Sequence, residues 1–414
     1  MTVRAKVGSR AATVAVAGWA AACGAAFPTS ALAQTVTQEV AVSVGGSVAT
    51  NPYLEDNDPG ASVGGTVEIR PRLTYDTSVT RFDLEAFAQG TAFVDKYGFE
   101  DDYGVSAGVN HRASERLGLR MNAGVSSLAS PATDSLWSPD LGGVTPSEPL
   151  PPQIPVDDVT VLGQRGRSTS ISAGAGAEYI INAQNSVDFE GSYQDVSLTH
   201  PGTSDYNTIR FDGRYTRVLS ERASVGLIAG YRRFNYDDTL QPDARSITAL
   251  GSISWRLGEA WSLTASAGAQ RTRTDESATA PAFTHTSLTA NATLCRSDER
   301  ERLCLDYSRQ AQPTGLAGIR NTDAASLSYN VRVSESDTVS LGGNYSRSSG
   351  LGSGETVFPA TTFAGVRGDF EHRFNRRLSG YAEVSVDRIR RSGLSVDPRV
   401  RVGAGVRYLF GRTG

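Results

Sequence analysis

Leu117-Gly118-Leu119-Arg120-Met121-Asn122-Ala123-Gly124-Val125-Ser126 alternates apolar residues with small or polar ones without a break. Successive side chains of an extended chain point to opposite faces. Leu117, Leu119, Met121, Ala123 and Val125 therefore share one face, and Gly118, Arg120, Asn122, Gly124 and Ser126 the other. About ten such residues, tilted, are enough to cross a bilayer.

The same period recurs on both sides of this stretch. Val40, Val42, Val44 and Val48 oppose Ala41, Ser43, Gly45 and Ser47, while Ile247, Ala249, Ile253, Trp255 and Leu257 oppose Ser246, Thr248, Ser252, Ser254 and Arg256. Short polar turns separate the runs at 113–116, 182–185, 220–222, 258–259, 334–337 and 375–377. Away from one long insertion they come about every 40 residues, which is two strands, a tight turn and a longer loop. The longer connections, such as 51–61, 237–244, 275–283 and 351–360, are rich in Asp, Gly, Pro and Ser. Short turns at one end and long loops at the other are the asymmetry of a transmembrane antiparallel β-barrel. Strands are expected to begin near Gln38, Ser62, Thr80, Asp102, Leu117, Thr169, Ser186, Tyr206, Ala223, Arg245, Trp261, Thr284, Arg302, Thr322, Thr338, Thr362, Leu378 and Pro398. The expectation is an all-β barrel of about 18 strands, with 16 as the alternative.

Residues 1–33 precede this pattern with Arg4, Lys6 and Arg10, a small apolar run and Ala31-Leu32-Ala33. They read as a signal peptide cleaved before Gln34, leaving 34–414 as the barrel. Removing three leader cations from the formal charge of -4 leaves about -7, so no basic footprint for nucleic acid remains. Lys96 is the only lysine beyond the leader, and arginine carries the positive charge. The 43 glycines and few methionines suit strands that are half apolar and half polar.

With the apolar parity facing lipid, the opposite parity sends charge to the lumen. Glu68, Arg70 and Arg72 share one strand, followed by Arg81, Asp83 and Glu85. Arg120 stands further round, then Arg210, Asp212 and Arg214, and finally Arg367, Asp369, Glu371 and Arg373. These rows either set solute selectivity or act as cross-strand ion pairs that hold the wall, and the mixture of signs gives no ion preference. Trp255 and Trp261 flank one short turn and Phe370 and Phe374 approach another, as expected of an aromatic girdle. Cys295 and Cys304 fall on the lumen parity of one hairpin, in direct opposition across the turn near Glu299 and Arg300. A disulfide is expected in an oxidising compartment, two lumenal thiols being the alternative.

Catalysis is not expected. Of four histidines, His200 and His285 lie near loops and His111 and His372 on the lipid-facing parity; none stands in a compact motif with a nucleophile. Metal-ligand spacings and phosphate-cradling glycine motifs are absent, so no cofactor is expected.

The longest connection, 129–166, holds Pro131, Pro139, Pro146, Pro149, Pro151, Pro152 and Pro155, which stiffen it. It is expected to narrow the lumen, with Trp137 as an apolar anchor and Asp134, Asp140, Asp157 and Asp158 meeting lumenal arginines such as Arg120 and Arg210. A mobile loop outside the barrel is the competing reading.

The last strand ends on Gly405-x-x-Tyr408-x-Phe410, which resembles the C-terminal β-signal read by the barrel-assembly machinery. Gly403, where a polar residue is usual, and the trailing residues 411–414 depart from that pattern. Together with Ala49-Thr50-Asn51-Pro52-Tyr53-Leu54 after the first strand and the repeated hairpins, the chain resembles the outer-membrane β-barrel porins encoded beside bacterial exopolysaccharide export loci. The resemblance implies the cell outer membrane, a porin-like channel for passive diffusion or polysaccharide export, and polysaccharide export proteins as partners. A closed structural or surface-interaction barrel is the alternative. Arg232, Arg233, Arg271, Arg273, Arg388 and Arg390, near loop bases, are expected to meet lipopolysaccharide phosphates at the rim. Asp56, Asp58, Asp237, Asp238 and Asp275 would share bridging cations.

Overall fold

The computed structural model describes residues 35–56, 60–94, 97–129, 158–238, 241–276, 281–316, 318–351, 359–391 and 396–411. The expected leader at 1–33 and the loop positions Asp134, Trp137, Asp140 and Asp157 lie outside the described residues.

Among the described residues every element is a strand. In chain order they are β1 (Thr35–Thr50), β2 (Ala61–Asp76), β3 (Thr80–Phe93), β4 (Phe99–Arg112), β5 (Leu117–Leu128), β6 (Ser168–Asn182), β7 (Asn185–Leu198), β8 (Tyr206–Ser220) and β9 (Ala223–Tyr236). The second half is β10 (Ala244–Leu257), β11 (Trp261–Thr274), β12 (Phe283–Ser297), β13 (Glu301–Thr314), β14 (Gly318–Arg332), β15 (Asp337–Ser349), β16 (Thr361–Arg373), β17 (Leu378–Arg391) and β18 (Arg399–Gly411). Each pairs antiparallel with its chain neighbours, and β18 returns to β1 from Glu39↔Gly411 to Thr50↔Val400. The sheet thus closes into an 18-stranded antiparallel barrel, which satisfies its seam. The largest offset from an expected strand start is at β14, which begins at Gly318 rather than Thr322.

Four of the short turns share one chemical device. Ser114, Asn182, Ser334 and Asn375 each turn a side-chain oxygen back to accept the backbone N–H groups two and three residues on. Such side chains mimic a backbone turn. The β10–β11 turn instead relies on Gly258 at a φ of 80°, which other residues rarely adopt.

Alternation is expressed on the barrel's two faces. Phe189, Leu227, Ile247, Leu288 and Val366 project outward with more than half of their surface bare. The lumen parity carries Ser43, Ser246, Gln270, Thr272 and Ser385, all buried.

The outer end of the β13–β14 hairpin breaks the cylinder. β11 and β12 pair up to Thr274↔Phe283, and β13 and β14 up to Thr314↔Gly318, yet β12 and β13 separate beyond Ala290↔Arg309. Residues 310–316 and 318–320 turn into the lumen, where Ala311, Thr314, Ile319 and Arg320 are buried. Two apolar clusters fill the barrel at this long-loop end. One joins Val196, Tyr206, Phe234, Tyr236 and Ala244 to Ala311, Ile319 and Leu351; the other joins Leu54, Val159, Leu162, Phe363 and Ile389.

Candidate functional site

The candidate site is the lumen, and its wall is a set of charged rows held in register by the strands. On the arc from β16 to β18, Arg367 bonds both oxygens of Asp369 at 2.8 and 3.0 Å and reaches Glu383 at 2.6 Å. Glu383 also meets Arg401 at 3.1 Å, and Arg407 meets Glu371 at 3.5 Å. Arg373 lies on the same face of β16, nearer the short-turn end. On β2 and β3, Arg70 bonds Glu68 at 2.5 Å and approaches Glu85 at 4.0 Å, Arg81 bonds Asp83 at 2.9 Å, and Arg72 stands opposite Glu85 in register. Across the barrel Arg120 meets Asp188 at 2.5 Å, Arg210 pairs with Asp212, and Arg214 stands opposite Asp188. These side chains keep partial exposure and line recesses, one of about 300 Å³ bounded by Arg72, Asp83, Glu85, Asn122 and Ser172. The pairs hold the wall in shape and present fixed dipoles and charges of both signs to whatever occupies the lumen.

Tyr381 shows how glycine shapes this wall. Gly45 and Gly405 are register partners, and a Cβ on either would lie 2.5 Å from the Tyr381 hydroxyl. The missing side chains let the ring lie flat along β1 and β18, with Arg407 5.8 Å above it. Tyr408 and Phe410 face the other way, their rings 4.6 Å apart on the outside.

At the long-loop end the lumen narrows. The inward hairpin is held by groups from across the barrel: Arg232 donates to Gln310 at 2.8 Å, and the Ala311 N–H to Gln270 at 3.0 Å. The Tyr236 hydroxyl accepts from the Thr314 N–H at 3.2 Å and donates to the Thr314 carbonyl at 3.3 Å. At the hairpin tip the Gly315 carbonyl accepts from the Ser204 N–H at 2.7 Å. Its own N–H donates to Asp158 at 2.6 Å.

Asp158 begins the described end of the long connection. It accepts from the Thr160 N–H and hydroxyl, and Arg391 donates to the carbonyls of Thr160 and Leu162. Val159, Thr160, Val161 and Leu162 are buried inside the mouth. Burial raises the Asp158 carboxyl above the ordinary aspartate range, opposed by its hydrogen bonds to Thr160 and Gly315 and by the Arg391 charge. The connection then leaves the mouth at Arg165, which lies 5.4 and 5.2 Å from the Tyr53 and Tyr97 rings and 3.3 Å from Glu100.

Some expectations are corrected by this geometry. Asp158 does not meet Arg120 or Arg210, which spend their charge on Asp188 and Asp212; its partners are Gly315, Thr160 and, through its field, Arg391. Arg232 is no rim residue. It points into the lumen toward Gln310, while its chain neighbour Arg233 points outward, as adjacent strand residues must. Asn51-Pro52-Tyr53 forms a turn: the Asn51 side chain bonds the Glu55 N–H at 2.8 Å and the Glu55 and Asp397 carbonyls at 2.9 and 3.1 Å, tying two loops together. Cys295 and Cys304 are register partners and are joined as a disulfide.

The buried Arg399–Asp387 pair was missed from sequence. Arg399 reaches one Asp387 oxygen from two nitrogens at 2.9 and 2.6 Å and the Pro52 carbonyl at 3.3 Å. A lumen-parity charge on each of two adjacent strands was the available signal.

No protein-family model matches the chain, and no curated protein matches it. Among solved structures it is similar to Pseudomonas aeruginosa OccK2 (OpdF), with 12% identity over 92% of this chain and 98% of that one and a TM-score of 0.46. It is also similar to Pseudomonas aeruginosa OprD, with 11% identity, 92% and 96% coverage and a TM-score of 0.44. Acinetobacter baumannii OccAB4 gives 10% identity, 92% and 99% coverage and a TM-score of 0.44.

Proposed function

We propose that the chain is a porin-like channel of the bacterial outer membrane that passes small polar solutes through a mouth narrowed from within. The observation that carries this reading is the division of the closed barrel into two surfaces. Bulky apolar side chains such as Leu227, Ile247 and Val366 stand bare on the outside, while arginine and carboxylate rows line the inside. Only a lipid environment makes the first surface favourable, and only water or a polar solute suits the second. On this reading the leader exports the chain, the assembly machinery reads the Gly405, Tyr408 and Phe410 ending, and the long connection acts with the inward hairpin as the constriction. Passage of an exopolysaccharide, with export proteins as partners, is the finer form of the proposal. It rests on the resemblance of the sequence to porins beside such loci.

A closed barrel without channel activity is the second reading, favoured by the two apolar clusters in the mouth. Single-channel recording of the purified protein in a planar bilayer separates the two. Stable conducting steps support the channel; a correctly assembled barrel that stays silent rejects it. Flux of a charged oligosaccharide from vesicles tests the finer form.

A further inference from the structure

We propose that Arg233, Arg245, Arg271 and Arg273 form a binding patch on the outer wall for the phosphate groups of a lipopolysaccharide-type glycolipid. The four side chains are exposed, on β9, β10 and β11. The register places Arg233 opposite Arg245, and Arg245 opposite Arg273, so three guanidinium groups form a row across three neighbouring strands. Arg271 stands two residues below Arg273, opposite Ile247. With strands about 4.8 Å apart, the row spans roughly 10 Å.

Like charges directly opposed across strands repel, and local carboxylates answer this row weakly. Arg245 approaches Asp275 at 3.7 Å, with both side chains more than half exposed, and Arg233 bonds the neutral Asn235 at 2.8 Å. Among the described residues Arg271 and Arg273 make no ion pair. The row on the far side of the hairpin differs: there Arg309 is answered by Asp323 at 3.3 Å.

Height on the wall identifies the partner. Below the row on the same face lie Tyr231 and Ile247, level with Arg271, and then Leu288, all exposed, and above them are the long loops. The patch therefore sits where an apolar belt meets water, the level of lipid headgroups. It faces away from the lumen, so a solute in transit does not meet it. Planar guanidinium groups pair bidentately with phosphate oxygens, which suits a headgroup bearing more than one phosphate.

This inference rests on the membrane reading, which flotation of the barrel with lipid vesicles tests by itself. The patch is tested on the folded protein in detergent by titration with lipopolysaccharide, with its dephosphorylated form and with inorganic phosphate. Changing all four arginines to Gln is expected to weaken binding of the phosphorylated glycolipid by roughly fivefold per arginine, on the order of several hundredfold together. Arg217→Gln with Arg222→Gln, at the short-turn end of β8 and β9, should leave it unchanged, and millimolar inorganic phosphate should fail to compete. If the fourfold variant does not assemble, Arg245→Gln alone carries the test, with about fivefold weaker binding expected. Equal binding by these variants and the unaltered protein overturns the proposal, as does equal binding of the dephosphorylated glycolipid or displacement by free phosphate.

Discussion

Replacing Val159 and Leu162 together with Asp should open the mouth, and the structure sets the scale. Burying a Val or Leu side chain contributes roughly 1.5–3 kcal/mol, so Val159, Val161 and Leu162 together supply about 4.5–9 kcal/mol to docking of the segment. The charge-assisted bonds from Arg391 and to Asp158 add about 1.5–3 kcal/mol each, or roughly 3–6 kcal/mol. Ordering the backbone of the residues from 158 to 164 costs about 1–2 kcal/mol apiece, some 7–14 kcal/mol. Docking is therefore marginal. Losing two apolar anchors removes about 3–6 kcal/mol and charges the site, enough to shift the docked-to-free ratio by a factor on the order of a hundred or more. The assay is single-channel conductance in a planar bilayer, paired with exclusion limits for neutral sugars in vesicles. Conductance should rise and the exclusion limit relax, while heat-resistant mobility on gels shows that the barrel is intact. An intact variant barrel with unaltered conductance refutes the argument that this segment narrows the passage.

The Asp158 carboxyl should make that docking pH-dependent. Because its pKa is raised when docked, the docked segment holds the proton more tightly, and docking weakens as pH rises from the ordinary aspartate range through the raised value. Conductance should increase over that window, and Asp158→Asn, which keeps an acceptor for Gly315, should flatten the response. Arg399→Gln removes a charged partner of the buried Asp387 and should cost about 3–5 kcal/mol in urea unfolding followed by tryptophan fluorescence; replacing both residues with a neutral pair should cost less. Cys295→Ser with Cys304→Ser should lower the unfolding free energy measured in urea by roughly 2–3 kcal/mol, given a nine-residue separation, without preventing assembly. Gly405→Leu should expel Tyr381 from its place against β1 and change single-channel conductance, with Gly251→Leu, where an added Cβ meets open space, as the control.

The cylinder was legible in the sequence because a wall apolar outside and polar inside imposes a two-residue period along most of each strand. Ser114, Asn182, Ser334 and Asn375 marked the turns by their chemistry. The constriction was harder to read. Ala311 and Ile319 continue the outward parity of Leu305 and Leu327, so alternation alone sends them to lipid, whereas the structure buries them in the lumen. A signal was available on the other side: Val196, Tyr206, Phe234, Tyr236, Phe363 and Ile389 put bulky apolar groups on the polar parity near the long loops. Strands otherwise wet inside carry such residues where something packs on them. Arg232 and Arg233 make a related point, since their adjacency alone ruled out a shared face.

The inward hairpin also bears on the order of assembly. Neighbouring strands can zip together through short turns, but the hairpin's lumenal partners are distant: Tyr236 and Thr314 are separated by 78 residues, Asp158 and Gly315 by 157. Such contacts reward the chain only after the long intervening segments have found their places. The mouth should therefore set only after the strands from β6 to β14 have paired, with that arc of the wall formed before the aperture takes its final width. Even then the outer seven residues of β12 keep a strand neighbour on one side only, so the hairpin that narrows the bore leaves an open edge in the wall beside it.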